Sequence, residues 1–219
     1  MINYAIPDHA ISQKLKTVFK KLFDSSCLVS FRDNEEFDKI FERTNSIMKV
    51  SEAKFLILDD DKLLHDYKKF WAAHFIDEFD IYNDFMQQAA SYLLSMFEHV
   101  KRFLMMILDL EKMKLHEKAT LGTIVTTISL KCGYSRNSLN ELFDVETRNI
   151  IGHDNWYYKE KNFVYKDDNC VEKEMTLKEL VEKLKYVTGL SSGIAMAWKP
   201  YILKLEIDRY KENNRNTST

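Results

Sequence analysis

The chain has 219 residues, 45% hydrophobic and 30% charged, a composition typical of a globular protein that builds its core without disulfides or metals. It has only 5 glycines and 2 prolines, which argues against the many tight turns of a β-sandwich or barrel and favours long helices. The formal net charge of −2 argues against binding of polyanions through bulk charge, so a nucleic-acid partner would need a local basic site.

Residues 1–79 are predicted to form an N-terminal helical extension. Apolar residues recur at helical spacing over residues 9–23, after Asn34, and from residue 61 to residue 75. The acidic run at residues 59–61 is interpreted as the start of the third of these helices, because carboxylates suit a helix N-terminus. A hard metal ion is the weaker interpretation of the same run.

The chain contains no apolar run long enough to span a bilayer, and its N-terminus does not have the pattern of a signal peptide. The three cysteines lie far apart and form no CxxC pair. The histidines are not paired at ligand spacing either, so no metal site is predicted. We therefore expect a cytoplasmic protein with reduced thiols, no membrane association and no cofactor.

Residues 80–211 are predicted to form a helical bundle, with residues 212–219 as a disordered tail. The longest helix spans about residues 81–115 and carries a wide apolar stripe with charged residues opposite. The β-branched run from Thr120 to Leu130 suits a strand by propensity, but its apolar positions also fit a helix, which we prefer in a bundle. A further helix is predicted from a cap at Asn137 or Ser138 to an end near Gly152.

The pattern changes after Gly152. Residues 162–165 and 170–172, separated by an Asp-Asp-Asn turn, predict a small β-hairpin. Thr176 and Glu179 form a capping box that starts the next helix, and residues 189–193 are predicted to interrupt it. Pro200 should bend or restart the last helix, over about residues 194–210. The overall prediction is an all-α bundle with a hairpin after the helix that ends near Gly152.

The richest segment for chemistry is residues 146–158, which contains Arg148, Asn149 and His153. Arginine offers a permanently charged fork that suits phosphate, and histidine exchanges a proton near neutral pH. Arg148 and His153 are separated by about 140° around an ideal helix, so they share a face only if the helix stops at Gly152. Asn149 and His153 share a face at i,i+4 spacing, and Asn149 is predicted to orient the imidazole.

A structural interpretation of the same residues is also open. Arg148 would then pair with Glu146 or Asp144 on its own helix, and His153 would cap the helix end. Spacing alone favours this interpretation, because short motifs recur by chance.

Arg148, Asn149 and His153 match the R-N-x-x-x-H pattern of HEPN proteins, a family of helical bundles that includes many ribonuclease toxins. The long helix before the motif and the hairpin and capped helix after it are similar to that family over about residues 80–210. The resemblance does not cover residues 1–79. Some HEPN toxins paired with nucleotidyltransferase antitoxins carry a tyrosine two residues after the histidine, where this chain has Asn155. The abortive-infection and Apea-like branches are candidate placements.

The resemblance implies a metal-independent endoribonuclease with a toxin or defence role. Arg148 and His153 would be its catalytic residues, with Asn149 in support. His153 would take the 2′-OH proton or protonate the leaving oxygen, and Arg148 would stabilise charge at phosphorus. It further implies a homodimer with both motifs in one cleft, 2′,3′-cyclic phosphate products, and an antitoxin or regulatory protein as partner.

Trp156, Tyr157 and Tyr158 are candidate substrate-binding residues, because aromatic rings stack on exposed bases. The alternative that we favour is that they begin the hairpin and pack on the bundle, since strands are enriched in aromatic residues.

Two other functions compete with the ribonuclease. One is a non-catalytic HEPN module that binds RNA, a nucleotide or a protein. The other is a structural helical adaptor that docks through residues 1–79. The intact Arg-Asn-His set favours the enzyme.

Overall fold

A computed structural model describes residues 9–29, 61–73, 81–167 and 169–216. Between the first two ranges it also describes Lys39, Glu42, Arg43, Ser46, Ile47, Lys49, Val50 and Ala53. Asn34, which suits a helix cap, lies outside the described residues, as does the apolar run at residues 55–58, which suits a strand or a buried turn. Residues 59–60 of the acidic run and residues 217–219 also lie outside them.

The described part of the chain is mainly helical, which confirms the predicted class. Its helices are α1 (His9–Asp24), α2 (Asp61–Ala72), α3 (Ile81–Ile107), α4 (Leu110–Met113), α5 (Leu121–Cys132), α6 (Arg136–Leu142), α7 (Val145–Gly152) and α8 (Leu177–Asn216). Three strands lie between α7 and α8: β1 (Trp156–Lys159), β2 (Asn162–Lys166) and β3 (Glu172–Thr176).

The strands form one antiparallel sheet in the order β1-β2-β3. The predicted hairpin is confirmed as β2 and β3, in which Asn162 pairs with Thr176 and Lys166 with Glu172. The favoured interpretation of Trp156, Tyr157 and Tyr158 as the start of the hairpin agrees with β1, which pairs with β2 as a third strand on the side that follows α7. The two residues of the β1–β2 turn both have positive φ, the geometry that matches strand twist in a two-residue hairpin.

The core forms around α3, the 27-residue helix that packs against α8, α7 and α5. Its central residues Leu93, Met96 and Phe97 are completely buried. Helix α1 also packs on α8, and its Leu15 and Phe19 belong to the same hydrophobic core. The described part of the N-terminal segment therefore shares its core with the bundle, and the boundary at residue 79 stays a prediction.

The β-branched run forms helix α5, as preferred from its spacing. Leu121, Ile124, Val125 and Ile128 are buried on one face. The side chain of Thr120 accepts a hydrogen bond from the Thr123 amide at the start, and Gly133 ends the helix in the left-handed conformation. Packing on this face outweighs the strand propensity of the β-branched residues.

The single helix predicted before Gly152 is wrong, because the chain breaks it into α6 and α7. Helix α6 begins at Arg136, with Ser135 rather than Asn137 or Ser138 at the N-cap. Asp144 then adopts left-handed φ of 47°, which redirects the chain into α7. The predicted end near Gly152 is confirmed.

The predicted bounds of two further helices need correction. Helix α3 ends at Ile107, and the chain forms the separate short helix α4, capped by the Asp109 side chain. Helix α8 continues for 40 residues through residues 189–193 and Pro200, which do not end it, and its last residues reach into the tail predicted at residues 212–219. Burial explains why the helix continues through its two glycines, Gly189 and Gly193. Ser191 and Ser192 lie between them and are buried, and the Ser191 hydroxyl donates to the Val187 carbonyl.

The capping box at the start of α8 is confirmed. The Glu179 amide donates to the Thr176 side chain at 3.2 Å, and the Glu179 carboxylate accepts from the Thr176 amide at 2.7 Å. Among the described helices, none has the length and hydropathy needed to cross a membrane.

Candidate functional site

Helix α7 has only eight residues, carries Arg148 and Asn149, and is followed by His153. Its Val145, Thr147, Ile150 and Ile151 are buried, and the helix packs against α3. This packing leaves Asn149 and the helix end exposed to solvent, while Arg148 lies at the border between the buried face and the exposed face.

The Arg148 side chain reaches across to α3. Its Nη2 lies 3.3 Å from Oε1 of Glu98, and the other carboxylate oxygen of Glu98 lies 2.6 Å from Nζ of Lys101. The Arg148 side chain is 16% exposed, and its Nε is buried without a hydrogen-bond partner in the described part of the chain. The structural interpretation expected Arg148 to pair with Glu146 or Asp144. The ion pair that the structure gives Arg148 is instead with Glu98, on another helix.

Glu98 is an ionised carboxylate between two cations. Burial alone would raise the pKa of Glu98, but the hydrogen bonds and charges of Lys101 and Arg148 outweigh burial and lower it. The three side chains together carry a net charge of +1, which makes this point of the surface attractive to an anion.

Gly152 contributes to the site through its lack of a side chain. A Cβ atom there would lie 3.3 Å from Nη1 of Arg148 and 3.5 Å from Cδ1 of Leu94. Gly152 is the last residue of α7 and does not have a positive φ, so its conformation does not require glycine. The sequence predicted Gly152 as a helix terminator, and the structure gives it the additional role of accommodating the guanidinium.

His153 follows α7 as its C-cap residue and is exposed. Its amide donates to the Asn149 carbonyl at 3.0 Å, which agrees with the predicted capping role. Within the described residues, no hydrogen bond joins the imidazole to Arg148 or to the Asn149 side chain. Asn149 was predicted to orient the imidazole, and no described hydrogen bond does so. The imidazole is exposed to solvent.

The three aromatic candidates lie on β1 and differ from one another. Trp156 is half-buried and stacks on Phe163 with ring centroids 4.5 Å apart, and Tyr158 is also half-buried against the core. Tyr157 is 46% exposed, and its hydroxyl donates to Glu172 at 3.1 Å. Desolvation and the nearby Glu172 carboxylate raise the pKa of the Tyr157 hydroxyl. Packing thus accounts for Trp156 and Tyr158, and Tyr157 keeps an exposed ring.

A cavity of about 540 Å³ lies at the other end of α7, where the α6–α7 junction meets the sheet and α8. Its lining is rich in carboxylates, namely Glu141, Asp144, Glu174, Glu179 and Glu182. Lys183 also lines it and pairs with Asp144 at 2.8 Å. Burial and the surrounding carboxylates raise the pKa of Tyr165 in the same wall. The cavity is electronegative, so it does not suit phosphate.

Sequence reasoning missed Glu98 and Lys101 as site residues, since both belong to the charged side of the long helix. No local signal marks them, because Glu98 and Arg148 are separated by 50 positions in the chain. Within the described residues, no group of three His, Cys, Asp or Glu side chains is arranged to hold a metal ion.

Comparison of the chain with protein-family models, curated proteins and solved structures finds no match. The fold and the site by themselves define the class. The chain is a mainly helical protein in which Arg148, Glu98 and Lys101 form a charged cluster and an exposed His153 follows a short helix.

Proposed function

We propose that this chain is a metal-independent endoribonuclease of the HEPN type. The observation that carries the proposal is the arrangement of α7 and its C-cap residue: α7 carries a partly buried Arg148, and His153, which follows the helix, is exposed to solvent. The guanidinium is held in place by its surroundings, and the imidazole is accessible to solvent. These are the two properties that a charge stabiliser and a proton-transfer group require.

In the proposed reaction, the 2′-oxygen of a ribose attacks the adjacent phosphorus while the bond from phosphorus to the 5′-oxygen of the next nucleotide breaks. The 2′-OH proton goes to a base, and the leaving 5′-oxygen receives a proton. His153 acts in one of these two transfers, and Arg148 stabilises the negative charge that builds on the phosphoryl oxygens. The products are a 2′,3′-cyclic phosphate and a free 5′-hydroxyl, and no metal takes part.

The proposal includes a homodimer. In one chain, no hydrogen bond among the described residues joins the imidazole of His153 to Arg148, so the proposal takes a second protomer to complete the proton-transfer set. Single-stranded or looped RNA is the proposed substrate class, because its 2′-OH groups and bases are accessible. A cytoplasmic toxin or defence role, with an antitoxin or regulatory protein as partner, belongs to the same proposal.

The test is cleavage of a mixed RNA pool in the presence of EDTA. His153→Ala and Arg148→Ala are compared with the native chain, and the controls are His65→Ala and Arg136→Ala, which remove an exposed histidine and arginine elsewhere. We expect cleavage to survive EDTA, to leave cyclic phosphate ends, and to be lost in the two site variants only. Equal cleavage by all five proteins, or none by the folded dimer, would contradict the proposal.

The ion pair between Arg148 and Glu98 favours a second candidate, the non-catalytic module that binds RNA, a nucleotide or a protein. A guanidinium that is already paired suits a holding role as well as a catalytic one. Binding of RNA without cleavage, with affinity lost in Arg148→Ala and kept in His153→Ala, would favour this module over the enzyme.

A further inference from the structure

We propose that Lys101 and Arg148 form one phosphate-binding pair, and that the Glu98 carboxylate between them is a resting counter-ion that a phosphodiester displaces. The inference rests on the proposed function in one respect, since the anion is taken to be an RNA phosphate. It adds two residues of α3 to a site that the motif alone places on α7 and the residue after it.

The geometry of the three side chains carries the argument. One oxygen of Glu98 contacts Nζ of Lys101 at 2.6 Å, and the other contacts Nη2 of Arg148 at 3.3 Å. The carboxylate thus bridges two cations from two different helices. A phosphodiester also presents two charged, non-bridging oxygens, so it suits the same pair of donors.

Exposure indicates which member of the cluster moves. The Glu98 side chain is 34% exposed, against 23% for Lys101 and 16% for Arg148. Glu98 is therefore the most accessible of the three, and it can turn towards solvent without disturbing the core. Arg148 lies against Gly152 and is the least exposed of the three side chains.

The guanidinium also has donors to spare. An arginine carries five N–H donors, and in the described part of the chain Arg148 uses one of them, in the bond to Glu98. The bond of 3.3 Å is longer than the range of about 2.7–2.9 Å for a strong charge-assisted hydrogen bond. A phosphate that replaces Glu98 would gain shorter bonds from the same group.

The experiment measures binding of a short, fully 2′-O-methylated RNA, which the proposed reaction cannot cleave, by fluorescence anisotropy at several salt concentrations. Lys101→Met should weaken binding about 5-fold and lower the salt slope by about 0.7, the value for one lost phosphate contact on a single strand. Glu98→Gln keeps the shape of the side chain and removes its charge, so binding should tighten about 5-fold.

Glu182 and Lys185 provide the matched controls, because they form another i,i+3 pair, at 2.9 Å on α8. Glu182→Gln and Lys185→Met change net charge equally and should leave binding within about 2-fold of native. Thermal unfolding verifies that every variant is folded.

Unchanged or weaker binding by Glu98→Gln would overturn the inference, as would an effect of Lys101→Met no larger than that of Lys185→Met. Failure of the inference is distinguishable from failure of the enzyme. Cleavage that depends on His153, together with no effect at Lys101 and Glu98, overturns the inference alone. The expected binding changes without any cleavage of unmodified RNA overturn the ribonuclease alone.

Discussion

The two ends of α7 are built differently. At its N-terminal end, Asp144 accepts hydrogen bonds from Lys183 and Thr147, both at 2.8 Å, and the Tyr186 hydroxyl donates to the Leu142 carbonyl at 2.8 Å. Towards its C-terminal end, the Arg148 guanidinium lies beside Gly152, and one ion pair of 3.3 Å connects it to Glu98 of α3. Among the described residues, no hydrogen bond joins the imidazole of His153 to Arg148.

Within the eight residues of α7, one end therefore contributes to stability and the other end carries the candidate functional groups. The N-terminal end fixes the helix to α8 through partly buried polar contacts, so changes there should affect stability. The C-terminal end presents charged and titratable groups at the surface, so changes there should affect function. Short helices that carry catalytic groups need such an anchored end, because eight residues do not form a stable helix alone.

The largest expected effect is at the C-terminal end, in His153→Ala. Loss of a general acid or base should lower the rate of RNA cleavage by about 100-fold or more. The free energy of unfolding should change by less than about 0.5 kcal/mol, because the side chain is exposed. Single-turnover cleavage and urea denaturation measure the two quantities. A large loss of stability in His153→Ala would contradict the view that the C-terminal end of α7 contributes to function and not to stability.

The second prediction concerns the pH dependence of stability, which should arise from His99 of α3, the helix that packs against α7. Burial, followed by the positive charges of Arg43 and Arg102, lowers the pKa of His99 to about 4 from an ordinary 6.5. Between these two values the unfolded chain binds a proton that the folded chain does not, so stability must fall as pH falls through this window. The loss should approach about 3 kcal/mol near pH 4.

Urea denaturation at about pH 7 and about pH 5 measures this effect, with roughly 2 kcal/mol expected from His99. His99→Gln removes the titrating group and should remove that part of the pH dependence, whereas His116→Gln, at an exposed histidine, should not. An identical pH dependence in the native chain and His99→Gln would show that the folded chain does not keep His99 neutral.

At the N-terminal end, Asp144→Ala should lower the free energy of unfolding by about 2 kcal/mol. The change removes both hydrogen bonds of the carboxylate and places alanine at a left-handed φ of 47°. Asp144→Asn tolerates that conformation and should lose less than half as much. Thermal and urea unfolding give the values, and a loss in Asp144→Ala below about 0.5 kcal/mol would contradict the anchoring role.

The smallest expected effect is in Gly152→Ala. A Cβ atom would crowd the Arg148 guanidinium at 3.3 Å, while alanine favours the helix by up to about 1 kcal/mol. We expect stability to stay within about 0.5 kcal/mol of native and cleavage to fall about 10-fold.

The matched control for this change is Gly122→Ala in α5, where an added Cβ atom meets Val145 at an ordinary 3.5 Å. It should leave cleavage unchanged. Equal cleavage by Gly152→Ala and the native chain would show that Arg148 does not depend on the close approach at Gly152.

Local patterns explain why parts of the fold were predictable. The spacing of Leu121, Ile124 and Ile128 gave helix α5, and the pair Thr176 and Glu179 gave the start of α8. These features depend on residues within about one helical turn of each other, so the sequence contains all that forms them. The same holds for the end of α7 at Gly152.

Contacts between distant segments explain the errors. The break at Asp144 depends on Lys183 and Tyr186 of α8, which hold the α6–α7 junction. The continuity of α8 through residues 189–193 depends on burial against the rest of the bundle. The local sequence shows neither the residues of α8 that contact the α6–α7 junction nor the burial of residues 189–193. Tertiary packing overrides local propensity in both places.

The sequence by itself determined the helical class, the hairpin and the end of a helix between Arg148 and His153. Only the tertiary structure decided that Arg148 faces Glu98 and Lys101 and that Trp156 packs inward while Tyr157 stays exposed. The physical reason is range. Periodicity and caps act between neighbours in the chain, whereas a charged group takes its partner from whichever helix packing brings within a few ångströms.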